Sequence, residues 1–502
     1  MDTETAGVVA RFLRRVQRRD SLPGVVVAVV ETDGGTATTW AEGFGARDAA
    51  GNRPVSPDTM FAVGGVTQPL TAAAVRQLSA AGLCDLADPV TDHVDVGLPR
   101  GPDGEPIRLR HLLAHTSGLP AVGLRETLLA RRLRIGTDTL PLADWDDVCA
   151  HLRRVETADL LAPPGERVAR CDAGYVLLGR VVRSCTGRSY AAYVDEHLLE
   201  PLAADRATFD DTQFSMDDDH ATQYLLEDGE PTAASLPTDE RLRPATGLLA
   251  SVRHLAALAR LGLGDGRYDG REVVACGLGG DTVGGDTPDG SAGGSDTTEP
   301  SPPPGWRRRE ICGRTTFERA GDVAVSGGYV GYCPATGTGV ALAANAVPDY
   351  PLSALGAGVF GATVGTDPVA AAPTLARRRR LDRLTGRYES VCGVRRAHVT
   401  REDGRLTLAA DGPLTASVRP LSPVTDEPGA APDDAAVAAA DAGATHETAT
   451  DEETATDEET ATDDGVYRFT ICGGEGAATA QFDTTGETTT LTVGRRRYRR
   501  AE

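Results

Sequence analysis

At 502 residues the chain is long for one ordinary domain and points to two. Its 40% apolar fraction can build a core, while 5% aromatics leave most of the packing to Leu, Val and Ala. Seventy-three acidic residues against 51 basic ones give a net charge of −22, and every basic residue is arginine, with no lysine anywhere. Such an excess repels nucleic acid and anionic lipid, which excludes both as partners. It also fits a surface built for a salt-accumulating, halophilic cell, because the Debye length falls to roughly 3 Å at 1 M salt.

Residues 1–20 read as an amphipathic helix with Val8, Val9, Phe12, Leu13 and Val16 on one face, without the apolar core of a signal peptide. No run approaches the ~20 apolar residues of a membrane span; the expectation is a soluble, cytoplasmic protein. Pro23-Gly24 leads into a strand over 25–31, a turn at Asp33-Gly34-Gly35 and a second strand through Trp40 to Phe44, which is a hairpin. Proline is tolerated only in a helix's first turn, so the stretch through Pro69, Leu70, Ala74, Val75 and Leu78 begins close to Gly65 and stops at Gly82. A mostly helical region follows, including a helix over 173–185 capped by Gly187. Strands return at 323–332 and 339–344, joined by a turn over 334–338, and the two ends of this region are expected to pair in one antiparallel sheet.

Two segments break the pattern. Residues 277–304 are Gly, Asp, Ser, Thr and Pro with hardly an apolar side chain, and residues 427–464 are acidic and carry a Glu-Thr-Ala-Thr-Asp-Glu repeat from Glu447. Neither composition can offset chain entropy by burial, so both are expected to be disordered insertions. A charged linker over 366–380, holding Arg377 to Arg380, leads to a small β domain over 381–502 with strands at 397–401, 405–408, 466–470, 478–482 and 488–493. The nine cysteines are scattered, with no C-x-x-C pair or Cys/His cluster, so the spacing indicates neither a zinc site nor a disulfide framework. No cofactor is implied.

Several strings occur together in one order: Leu22-Pro23-Gly24-Val25, Gly43-Phe44-Gly45, Pro57-Asp58-Thr59-Met60-Phe61, Leu86-Ala87-Asp88-Pro89-Val90, His111 to Pro120 (HLLAHTSGLP), Pro164-Gly165-Glu166, and Gly174-Tyr175-Val176-Leu177-Leu178-Gly179. With these motifs the first 365 residues resemble the serine β-lactamase-related, penicillin-binding-protein-like family, on its class C and esterase side. The resemblance implies an α/β (α+β type) fold, an antiparallel sheet with a helical domain, followed by a small C-terminal all-β domain. It also implies acyl transfer by a serine that opens a helix, with a lysine three residues later to take its proton. In register with Phe61, the serine position falls on Gly65 and the lysine position on Gln68. Glycine carries no nucleophile, and a carboxamide is no base.

The family's tyrosine and asparagine positions fall on Arg170 and Asp172, flanking Cys171. Its Lys/His-x-Gly motif on the closing strand falls on Arg319, Ala320 and Gly321. Neither arginine can exchange a proton near neutrality. The reading is a family member without intact catalytic residues, a pseudoenzyme with a possible ligand-binding or regulatory role. The alternatives are an active hydrolase rebuilt around Cys171, Ser117 or a water, and a drifting paralogue without a selected role. Backbone donors at Gly65 and near 320–322 are expected to survive. The candidate ligand is therefore a small anion or peptide carboxylate held by Gly65, Arg170, Arg319 and Asp322, against the opposing reading that both arginines bridge to Asp172, Asp322 or other acidic neighbours and fill the hole.

Overall fold

The computed structural model describes residues 1–33, 36–50, 53–135, 142–227, 229–274, 277–278, 302–390, 393–402, 405–412, 415–423, 461–462, 466–471, 478–486, 488–493 and 496–501. Nearly all of the two low-complexity segments, 279–301 and 424–460, lies outside the described residues. The chain divides into two compact units, Met1–Ala372 and Pro373–Glu502.

The first unit is organised by helices α1 (Thr3–Arg19), α2 (Gln68–Ala80), α3 (Leu124–Leu133), α4 (Asp172–Thr186), α5 (Val252–Leu263) and α6 (Leu352–Thr363). Its sheet contains β1 (Gly24–Asp33), β2 (Thr36–Gly45), β3 (Arg307–Ile311), β4 (Arg314–Asp322), β5 (Gly327–Cys333) and β6 (Thr338–Ala344), in the order β3-β4-β5-β6-β1-β2. Val25 pairs with Ala344 and Val30 with Gly339, so the chain's first strand lies antiparallel to the last one of this unit. The run Val25 to Val30 is apolar without alternation because the sheet is covered on both faces, and each of its residues is buried. Tyr329 faces α6, where it leaves no room for a Cβ at Gly356; Tyr332 faces the opposite way and does the same at Gly262 in α5.

The amphipathic first helix buries Val9, Phe12, Leu13 and Val16. Helix α2 is preceded by a 3-10 turn over Gly65–Thr67 with Pro69 in its own first turn, and α4 ends at Gly187 in the left-handed region. The expected strand over 323–332 needs correction. Residues 323–326 form a tight reversal between β4 and β5, with Val323 N–H donating to Ser326 O at 2.9 Å and Ala324 at φ +69°. Apolar valines at 323 and 325 mimic a strand, yet they are buried as turn residues.

The second unit starts with α7 (Pro373–Leu384), so the stretch around Arg377 to Arg380 is helical and not an extended linker. Leu375, Leu381 and Leu384 recur at helical spacing and are buried, which outweighs the charge run between them. The strands are β7 (Gly386–Ser390), β8 (Arg396–Glu402), β9 (Arg405–Gly412), β10 (Thr415–Pro423), β11 (Val466–Ile471), β12 (Ala478–Asp483), β13 (Thr490–Val493) and β14 (Arg496–Arg500). They pair in the order β10-β9-β8-β7-β14-β13-β12-β11, and β10 also pairs with β11 (Leu421 with Ile471), which closes an eight-stranded barrel. Closure removes the sheet edges. Alternate residues Val399, Leu406, Leu408, Phe469, Ala480, Phe482, Leu491 and Tyr498 fill the interior. Among the described residues four strands were not anticipated: β7, β10, the arginine-rich β14, and the two-residue strand Ala461–Thr462, which pairs with β11 inside the segment expected to be a disordered insertion. Only Tyr498 of β14 is buried, and all four of its arginines are exposed.

Candidate functional site

The residues singled out by the motifs converge from four segments. The 3-10 turn supplies Gly65 and leads to Gln68; α4 supplies Asp172 at its first position, preceded by Arg170 and Cys171; β4 supplies Arg319 and Gly321. The loop after the short helix Leu109–Leu113 supplies His115, whose backbone has φ +56°, a costly conformation for a non-glycine residue. Its carbonyl accepts from Ala169 N–H at 2.7 Å, and the carbonyl of Thr116 accepts from Gly165 N–H at 2.7 Å. The two motif strings 111–120 and 164–166 thus tie together and deliver Arg170 to the site.

Gln68 is fully buried and donates from Nε2 to Asp172 Oδ1 at 2.7 Å; its Oε1 lies 3.1 Å from His115 Nε2. Burial first, then the charges of Arg319 and Arg170, holds the imidazole of His115 neutral, well below its ordinary pKa. Cys171 N–H points at His115 Nδ1 over 3.4 Å, so the single ring proton belongs on Nε2, where it is donated to Gln68. A one-way chain results, from Cys171 N–H through His115 and Gln68 to the carboxylate of Asp172.

That protonation has a consequence for Arg319. Its Nη2 lies 3.1 Å from His115 Nε2, which presents a proton and not a lone pair, and its Nε reaches Gly65 O only at 3.4 Å. Among the described residues no carboxylate pairs with it. Burial, then Arg170, draws its pKa down to about 10, so it is still charged at neutral pH.

Arg170 lies over Gly65. A Cβ built on that glycine would come within 2.8 Å of Arg170 Nη2, so the guanidinium occupies the space a side chain at 65 would need. Arg170 Nε stands 3.5 Å from Asp172 Oδ1. No motif points to the third arginine of the site. Arg125, in the first turn of α3, donates from Nη2 to Asp322 O and Oδ1, both at 2.9 Å, and its Nε is 3.7 Å from Asp172 Oδ2. Asp322 is therefore the partner of Arg125 and not of Arg170 or Arg319. Burial would raise the Asp172 carboxyl, but Arg170, Arg125 and Arg319 together bring it down to about 2. On β4, Gly321 abuts Gly65 so closely that a Cβ there would stand 2.1 Å from Gly65 N.

The other nucleophile candidates are sealed. Cys171 is buried, its thiol 3.7 Å from Pro120 O and pushed up to about 11 by that burial. Ser117 is buried, with Oγ accepting from Leu119 N–H. Among the described residues no group of three or more His, Cys, Asp or Glu side chains is arranged to hold a metal. None of their helices is long and apolar enough to cross a membrane.

A two-faced antiparallel sheet with a helical region beside it, and a site where a helix start, a helix N-terminus and an edge-side strand meet, define the penicillin-binding and β-lactamase class of fold. The family model described as Beta-lactamase matches residues 9–358, and the chain belongs to that family. A second, described as Pab87 octamerisation domain, matches residues 368–446. Over its full length the fold is similar to an octameric penicillin-binding protein homologue from Pyrococcus abyssi, with a TM-score of 0.77, 24% identity and 100% of each chain covered. A D-stereospecific amidohydrolase from Streptomyces shares the fold at a TM-score of 0.52 and 22% identity, over 68% of this chain and 94% of that one. Among curated relatives, Esterase EstB of Burkholderia gladioli is 37% identical over 179 residues, 35% of this chain and 44% of the esterase. The putative penicillin-binding protein PbpX of Bacillus subtilis is 26% identical over 210 residues, 42% of this chain and 48% of the relative. Each of these two matches spans less than half of the relative's length.

Proposed function

We propose that this chain is a catalytically silent member of the β-lactamase family that self-associates through its C-terminal barrel and holds a small anion, such as a peptide carboxylate, where the family cleaves its substrates. The observation that carries the reading is the exchange at Gly65: no nucleophile is present, and the guanidinium of Arg170 takes its place. Gln68 supports it, because a carboxamide locked between His115 and Asp172 has no proton to give or take.

The anion reading rests on charge. Three guanidinium groups, Arg125, Arg170 and Arg319, face two site carboxylates, Asp172 and Asp322; Glu126, 3.8 Å from Arg125, is solvent-exposed. Arg319 is the unmatched cation, buried beside Gly65 with one long acceptor. Guanidinium groups hold carboxylate and phosphate in paired hydrogen bonds, and burial keeps salt from screening them. Self-association is supported by the match of 368–446 to an octamerisation domain and by the full-length likeness to an octameric homologue. A rebuilt hydrolase is not supported by Cys171 or Ser117, both of which are buried and engaged.

Incubation with a β-lactam and with a fluorophosphonate probe is expected to leave the intact mass unchanged; a stoichiometric adduct within the cleft overturns the reading. Calorimetry with acetate and phosphate should show saturable binding that the Arg170→Ala/Arg319→Ala double variant loses. Light scattering of the full chain should give a closed oligomer, and a monomer at micromolar concentration removes that part of the proposal.

A further inference from the structure

A second row of reactive side chains lies at the other end of α4. Cys185 is in the last turn of that helix, thirteen residues from Asp172 and so about 20 Å along the axis. Its Sγ is 3.7 Å from Nδ1 of His93, whose Nε2 is 2.8 Å from Asp88 Oδ2. Cys185 and His93 belong to none of the motif strings. Asp88 does, and it has a backbone task as well, with Oδ2 accepting from Asp85 N–H at 2.8 Å. That bond first, then the one from His93, holds the Asp88 carboxyl below the usual carboxylate range. A carboxylate only accepts, so Nε2 carries the ring proton and the lone pair of Nδ1 faces the thiol.

Access sets this cysteine apart. Among the described residues Cys84, Cys149, Cys171 and Cys333 are buried, while Cys185 and Cys312 are half-buried. Cys312 sits in the turn between β3 and β4, and no imidazole contacts it among the described residues. The side chains of His93 and Asp88 are 15% and 34% exposed. Arg183, Ser184, Gly187 and Arg188, on either side of Cys185 in the chain, are exposed too, so a small reagent can approach the sulfur from solvent.

We propose that Cys185 is a modification site for low-molecular-weight disulfides, with His93 as the base that takes the thiol proton and Asp88 as the residue that positions the ring. Burial raises the Cys185 thiol above its ordinary pKa, so it rests protonated and needs a base at the moment of attack. Nδ1 of His93 takes the proton as the sulfur attacks one sulfur of the reagent. The reagent's own S–S bond breaks, and the departing thiolate takes the proton back from Nδ1. One protein thiol and one small disulfide thus become one mixed disulfide and one small thiol, and the reagent is the only oxidant. The site shares no residue with the anion site at the start of α4, so the two proposals stand or fall separately.

The test incubates the full-length protein with oxidised glutathione and follows the adduct on each cysteine-containing peptide with time. Cys185 should be modified faster than Cys312. His93→Gly should slow the reaction at Cys185 by roughly a hundredfold, the low end of what a positioned base contributes, and leave the rate at Cys312 and the melting temperature unchanged. Free imidazole should restore part of the lost rate in that variant, which a merely structural role for His93 would not allow. Asp88→Ala should slow the reaction less, and Asp88→Asn, whose side-chain carbonyl can still accept from Nε2, should recover much of the difference. No adduct on Cys185 at saturating reagent, or equal rates there in wild type and His93→Gly, overturns the proposal. A loss in His93→Gly that imidazole does not restore overturns the role of His93 as the base.

Discussion

The two ends of α4 differ in a way that says much about how sites are made and lost. At its start, Asp172 lies among residues that the family motifs point to, within a buried set of arginines, a carboxamide and an imidazole. At its end, Cys185 lies in no motif, yet a thiol, an imidazole and a carboxylate stand in a row. The scaffold strings persist because they make the fold: His115 and Thr116 accept the backbone bonds that fix the loop, and Gly321 permits the strand to touch Gly65. Arg170 and Arg319 have no such backbone task; one lies over Gly65 and the other reaches its carbonyl only at 3.4 Å.

The sharpest way to break this comparison is Asp172→Asn, which removes the one carboxylate against which Gln68, Arg125 and Arg170 all converge. Breaking a buried ion pair by deleting one partner costs about 3–5 kcal/mol, so denaturant unfolding at pH 7 should show a loss of that size. A change within experimental error would mean that the arginines are held by something other than Asp172.

Next in size is Gly321→Ala. Its Cβ would meet backbone of the 3-10 turn, which cannot move aside as a side chain can, so the upper end of the about 1–3 kcal/mol typical of overpacking is expected. Gly65→Ala meets the flexible end of Arg170 and should cost a few tenths of that. Equal losses in the two variants would show that Arg170 is as rigid as the strand.

Acid titration sharpens the same point. The folded pKa of Asp172 is depressed from 3.8 to about 2, so its contribution is complete above pH 4 and lost as the pH falls toward 2. It amounts to something on the order of 2 kcal/mol. His115, neutral in the fold, takes stability away from every variant below its unfolded pKa near 6.5, so the readout is wild type minus Asp172→Asn. That difference should shrink between pH 4 and pH 2; a constant difference contradicts the depressed carboxyl.

The smallest effect separates surface from site. Raising KCl from 0.1 to 3 M should lift the melting temperature by a few degrees as acidic self-repulsion is screened. The penalty of Asp172→Asn should stay nearly the same, because its ion pairs are buried. A melting temperature flat across that range removes the reading of the acidic surface as a salt adaptation.

Local patterns were enough for the first helix, the β1–β2 hairpin, the start of α2 at Pro69 and the cap at Gly187, because each depends on periodicity or on one residue's allowed dihedrals. The same patterns failed where the signal was ambiguous. Val323 and Val325 look like strand but lie in a turn, and the arginines of α7 hide three leucines at helical spacing. The motif strings single out Gly65, Gln68, Arg170, Asp172, Arg319 and Gly321, and the fold brings these positions together. What the sequence could not show is which charges meet. Arg125 reaches Asp322 across almost two hundred residues, and the tautomer of His115, which denies Arg319 an imidazole lone pair, follows only from which atoms face it. His93 and Cys185 are almost a hundred residues apart, and their 3.7 Å contact likewise exists only in the folded chain. Side-chain identity and local backbone preference are properties of the chain; the partners of a buried charge or thiol are set by packing between elements, and only the tertiary structure supplies those.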